Sequence, residues 1–193
     1  MTREKSSAKI LIEVDKESRG IGMTTEELKK LDEFVKVLDM QEEILQFTHF
    51  TNEDAWELGN IMALEAKKRN LPVVIRIELN NGFCVFQYAG DGTTPRNQLW
   101  LERKINTVKL MEKSSLNFYA SLRKAEQSME DVFLDEKVYA CCGGAFPIRI
   151  EDAGVLGTIA VSGLNHVGDH DFIIKCVSKY LHADEVPRIK ENM

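Results

Sequence analysis

The chain has 193 residues, 44% hydrophobic and 29% charged, with 25 Lys and Arg against 31 Asp and Glu and a formal net charge of −6. That length suits one ordinary domain that closes its own core without disulfides or a structural metal. A net negative chain whose cationic groupings, Lys29-Lys30 and Lys67-Lys68-Arg69, are short and sit beside acidic residues lacks the clustered basic face that binds nucleic acid.

Residues 1–22 differ in character from the rest of the chain. Met1 to Lys9 is polar, Ile10-Leu11-Ile12 is a brief apolar patch, and Asp15 to Gly22 is charged and glycine-bearing. The expectation is a flexible extension, with Met23 as the natural start. Thr24 and Glu27 then have capping-box spacing, and Leu28, Leu31, Val35 and Leu38 come after them at helical intervals. A short strand is expected over Ile44 to Thr48. Thr51 and Asp54 open a second helix, from about Asn52 to Arg69, which Pro72 ends.

Val73 to Ile77 and Phe83 to Phe86 are β-branched or aromatic runs joined through Asn80-Asn81-Gly82, a hairpin signal because Asn and Gly tolerate positive φ. The loop Gly90 to Pro95 leads to a helix from about Arg96 to Glu112, and another is expected from Leu116 to Gln127. Phe146 to Ile150 and Val155 to Ser162 make a second antiparallel pair. A last helix runs from about Asp169 to Leu181, before a polar tail at 184–193. Hairpins outnumber crossovers, so the fold class is α+β with an antiparallel sheet packed by helices, in one domain at 23–183.

No run of apolar residues approaches the ~18 needed to span a bilayer. With no signal peptide evident, Cys84, Cys141, Cys142 and Cys176 are expected to be reduced thiols in the cytoplasm. None of the four makes a C-x-x-C pair, and His49, His166, His170 and His182 show no zinc spacing, so no metal site is expected. Gly90 and Gly92 do not form a phosphate loop, and Ser162 has no assignable base.

Three segments together carry a family resemblance. Gly143-Gly144-Ala145-Phe146-Pro147-Ile148 with Gly157-Thr158-Ile159-Ala160-Val161-Ser162-Gly163, then Asp169-His170, is similar to a strand pair and acidic-His step of the haem-degrading-domain (GlcG/HbpS-like) family. Trp100 to Thr107 resembles that family's central helix, in which a lysine and a hydroxyl residue recur three apart. Phe50 to Gly59 resembles its opening helix. The resemblance spans Thr24 to Leu181. It implies a profilin-like domain with a five-stranded antiparallel sheet between helices, a homo-oligomer (a dimer or a ring of dimers), and haem or a related anionic ligand as cofactor, with haem degradation as the associated activity.

On a helix, Trp100, Lys104, Thr107 and Met111 share one face, beside the aliphatic Leu101, Ile105 and Val108. Lys104, Thr107 and Arg103 present donors for a carboxylate or phosphate, with Trp100 and Phe146 as flat apolar contacts. The plainer alternative is a lysine whose stem covers apolar surface. Gly143 and Gly144 either admit a ligand close to the backbone or make a bend. His170 is either an axial or orienting group for haem or a helix-end contact. With Ser162 these residues are the candidate ligand site. Two functions are expected from them: small-molecule binding, or a cofactor-free oligomeric scaffold of holdase type.

Overall fold

In the computed structural model, residues 23–189 are described. Five helices and four strands alternate as α1 Thr25–Ile44, α2 Asn52–Lys68, β1 Val74–Leu79, β2 Cys84–Ala89, α3 Pro95–Met111, α4 Ser115–Lys124, β3 Ala145–Ile150, β4 Gly154–Ser162 and α5 His166–Tyr180. Both expected capping boxes form. The Thr24 hydroxyl accepts from the Glu27 N–H, the Thr51 hydroxyl accepts from the Asp54 N–H, and each acidic partner reaches back to its cap backbone.

The strands form one antiparallel sheet in the order β2-β1-β4-β3. At the β1–β2 turn Gly82 takes φ +88°, the positive value that its glycine supplies without strain. Alternation along each strand divides the side chains between two faces. Ile75, Ile77, Phe146, Ile148, Ile159 and Val161 face α2 and α5 in the main core. Val74, Ala145 and Ala160 face Leu101, Ile105 and Val108 of α3. Helix α1 packs on α4 through Phe34, Leu38, Leu116 and Ala120.

The sheet has four strands among the described residues, not the five that the family resemblance implied. The segment expected as a further strand, Ile44 to Thr48, is absorbed at one end by α1 and leaves only an isolated parallel bridge from Phe47 to Ile150. Here the Phe47 N–H donates to the Arg149 carbonyl, and the Glu151 N–H donates to that of Phe47. Edge chemistry explains why pairing stops. The Ala145 N–H on the outer side of β3 is taken by the Ser115 hydroxyl, and Pro147, the next outward position, has no N–H to give. Only beyond the irregularity at Ile148/Arg149 does β3 accept another segment.

The last helix also begins earlier than expected. Asn165 is its N-cap, accepting from the Gly168 N–H, so Asp169 and His170 lie inside it rather than at its opening. The tail is docked as far as it is described: the Gln41 amide donates to the Pro187 carbonyl, Val186 is buried, and Arg188 pairs with Asp171. The extension expected at residues 1–22, and residues 190–193, lie outside the described residues.

Candidate functional site

Helix α3 carries Trp100, Arg103, Lys104 and Thr107 across the sheet toward the start of β3. Lys104 is only 3% exposed. Its ammonium donates to Asp169 Oδ2 and to the Val161 carbonyl, both at 2.9 Å. Asp169 Oδ1 accepts the Leu164 N–H at 2.8 Å. Burial pushes the Asp169 carboxyl upward from its ordinary range, opposed by the Lys104 ammonium and these backbone donors. One ion pair therefore joins α3, the end of β4 and α5.

Gly144 lies directly on this pair. Its φ is +112°, and a Cβ there would stand 2.5 Å from Lys104 Nζ and 2.6 Å from the Val161 carbonyl oxygen. At Gly143 a Cβ would strike the His166 carbonyl. Both glycines are thus required by close packing of the chain on itself. Thr107 accepts the Ala140 N–H at 3.1 Å and stands within donating distance of the Ala140 and Arg103 carbonyls. With Arg103 donating to the Tyr139 carbonyl and Asn106 to that of Val138, it fastens the segment 138–140 along α3. The Arg103 guanidinium also stacks over the half-buried Trp100 ring, 4.4 Å from its centroid. Ser162 is buried at the end of β4, its carbonyl accepting from Asn97. Burial pushes the Cys142 thiol up, the direction opposite to that of a reactive thiolate.

His170 and Phe146 stand apart from that cluster, in the core between α1, α5 and the sheet. The His170 ring is fully buried, 6.1 Å from the Phe146 ring. The Gln41 amide nitrogen donates to Pro187, which turns its oxygen toward His170 Nε2 at 2.9 Å. That orientation makes His170 the Nε2–H tautomer. Its Nδ1 is buried without a partner among the described residues, and desolvation lowers its pKa to about 3. The structure therefore brings Lys104, Gly144, Thr107, Arg103 and Trp100 together and separates His170 and Phe146 from them.

An open cleft lies elsewhere. A cleft of about 700 Å³ sits between the N-terminal part of α2 and the end of α5, lined by Phe47, Ile61 and Leu181 beneath and His49, Lys179, Tyr180 and His182 around. Asp54 also lines it, accepting the Tyr180 hydroxyl at 2.8 Å and standing 3.8 Å from His49 Nε2. Partial burial and that hydrogen bond push the Tyr180 phenol upward. Residues 47–61 and 179–182 have no common motif; the Tyr180–Asp54 hydrogen bond and the Phe47 and Tyr180 rings, 6.3 Å apart, join them. Among the described residues no group of three His, Cys, Asp or Glu is arranged to hold a metal ion, and no helix is long and apolar enough to cross a membrane.

Residues 50–178 match the family model described as haem degrading protein HbpS-like. The chain belongs to the HbpS-like family. Among relatives, a UPF0303 protein of Yersinia pseudotuberculosis is 37% identical over 138 residues, which is 71% of this chain and 80% of that protein. Among solved structures, Ybr137w superposes with a TM-score of 0.72 at 26% identity, covering 85% of this chain and 99% of that one. HbpS itself aligns with a TM-score of 0.55 at 23% identity over 70% of this chain and 92% of its own, a likeness of fold. The HbpS-like match includes α2, α3, the whole sheet and most of α5, and so the Lys104–Asp169 pair, whereas of the cleft's lining it includes only Asp54, Glu57 and Ile61.

Proposed function

We propose that this HbpS-like chain is a small-molecule-binding protein whose ligand is haem or a related flat, anionic molecule, held in the cleft beside Tyr180. The observation that carries the reading is the cleft itself: about 700 Å³, with an apolar floor and two imidazoles, a phenol and an ammonium at its rim. That volume is typical of cofactor sites. Imidazole and phenol are the side chains that hold haem iron in other proteins, and Lys179 supplies a partner for a carboxylate. His49 is the better iron donor, because the Tyr180 proton is committed to Asp54. Asp54 and Glu57 oppose anionic groups on their side, so Lys179 is the residue that would hold a ligand carboxylate. Bound haem would supply redox and oxygen chemistry; the protein's own part is to bind, orient and shield it.

The Lys104 cluster has a different part in this reading. Its ammonium is already satisfied by Asp169 and Val161, so an anion entering there must displace a buried carboxylate. Lys104, Thr107 and Gly144 hold the frame of α3, β4 and α5, whose last turn forms one wall of the cleft.

Titration with haemin, followed in the Soret band, tests the assignment with His49→Ala, Lys179→Glu, Lys104→Ala and His170→Ala beside the parent. A saturable, one-site shift weakened roughly tenfold or more by the first two substitutions is expected. A shift weakened only by Lys104→Ala in a folded protein moves the ligand to α3. A weak, non-saturating shift that is equal in all five proteins overturns haem binding.

A further inference from the structure

The two walls of the cleft differ in charge. Helix α2 brings Asp54, Glu57 and Ile61 to it along one stripe, and Leu64, 65% exposed, continues that stripe outward. The stripe thus begins with two carboxylates and ends in aliphatic carbon. On the other wall, Lys179 is the cation that α5 contributes, beside Tyr180, Leu181 and His182. Two carboxylates against one ammonium make an odd balance for a site that takes an anionic ligand.

The negative charge on the α2 wall is fixed. Asp54 Oδ2 accepts the Thr51 N–H at 2.6 Å and the Thr51 hydroxyl at 2.7 Å, while Oδ1 accepts the Tyr180 hydroxyl at 2.8 Å. Against desolvation, these donors hold the Asp54 carboxyl below its ordinary range, so it is an anion at neutral pH. Glu57 is exposed one turn further along. Its charge is felt inside the cleft: after burial and the Asp54 hydrogen bond and charge, it adds to the rise of the Tyr180 phenol. Binding sites discriminate by the groups they repel as well as by those they hold. Lys179 can answer one carboxylate with a charge-assisted hydrogen bond, whereas each further carboxylate brought into the cleft meets two groups of its own sign.

We infer that Glu57, with Asp54 behind it, sets the ligand specificity of the cleft, admitting flat apolar molecules that carry few carboxylates and turning away those that carry more. Among tetrapyrroles the class selected is the haem-like dicarboxylate, and the class refused is the tetracarboxylate of the same ring size. The inference rests on the cleft being the ligand site and names which members of the ligand class that site takes. Glu57 acts here by selecting rather than by holding. Its removal therefore widens the range of ligands without weakening haem, the opposite of what removal of Lys179 does. Ile61 and Leu64, further along the same stripe, offer carbon and no charge, so they leave this selection to the first two turns of α2.

Soret-band titrations of the full chain with haemin, haemin dimethyl ester and iron coproporphyrin, which differ in their number of free carboxylates, test it in the parent, Glu57→Gln, Glu57→Lys and Lys179→Met. Both positions are exposed, and far-UV circular dichroism checks that each variant folds. The parent is expected to bind haemin roughly tenfold or more tighter than iron coproporphyrin. That gap should narrow in Glu57→Gln, narrow further in Glu57→Lys, and shrink as salt is raised, with haemin held no less tightly by either variant. Lys179→Met should erase the advantage of haemin over its dimethyl ester, since the ammonium acts only where a carboxylate is present. Equal affinity of the parent for haemin and iron coproporphyrin overturns the inference, and leaves the cleft assignment standing where His49→Ala still weakens haemin. A gap untouched by Glu57→Lys also overturns it, because bulk rather than charge then sets the preference. No saturable binding of haemin by the parent overturns the cleft assignment and this inference together.

Discussion

Lys104 is worth most where it is least accessible. Its removal leaves the Asp169 carboxylate buried with two backbone donors and no cation, a loss of about 3–5 kcal/mol for buried pairs. Urea unfolding of Lys104→Met should show that loss, and Lys104→Met combined with Asp169→Asn should regain a measurable part of it, because the neutral amide needs no cation. Equal stability of Lys104→Met and the parent would show that the pair contributes nothing. His170 acts in the opposite sense. Its folded pKa, about 3, lies below the ordinary imidazole value near 6.5, so the unfolded chain binds the proton first. The contribution of neutral His170 is complete above pH ~6.5 and falls by about 1.4 kcal/mol per unit as the pH drops toward 3. The stability difference between the parent and His170→Gln should therefore shrink or reverse across that window. A difference that is flat from pH 7 to 4 would contradict the burial of this ring.

Among the elements, α2 depends most visibly on local chemistry. Thr51 accepts from the Asp54 N–H while Asp54 binds both the Thr51 backbone and the Tyr180 hydroxyl, so one cap fixes the helix start and the cleft wall together. Thr51→Ala should cost about 1 kcal/mol, which for a chain of this size lowers the melting temperature by about 2–4 °C. It should also weaken haemin binding if the cleft is the ligand site. Such caps are legible in the sequence because each spans four residues, and the two hairpins are legible because glycine, asparagine and strand periodicity are equally local. The expected fifth strand is not: whether Phe47 gains one bridge or a whole ladder depends on Ser115 capturing an N–H and on Pro147 lacking one, far along the chain. Helix α5 starts earlier than its sequence suggests because Asn165 caps it with Gly168 at the position where α1 and α2 carry an acidic partner.

At the scale of the whole molecule, the HbpS-like membership and the α+β class are legible in Gly143 to Gly163 and in the α3 pattern, whereas the cleft is not. Its walls come from residues 47–61 and 179–182, and no spacing announces that fold-dependent meeting. The Lys104 face is legible as a polar stripe beside an aliphatic one, but its partner, Asp169, is 65 residues away and in the sequence stands out only as a neighbour of His170.

Gln41 joins His170, 129 residues later, to Pro187, 146 residues later, and so closes α1 against the far end of the chain. A ribosome adding roughly 5–20 residues per second would take on the order of ten seconds to supply those partners. Through that interval the inner side of α1 has been made but has nothing from α5 to rest on, and β1 likewise waits for β4. The nascent chain thus remains incomplete on this side until its last helix emerges.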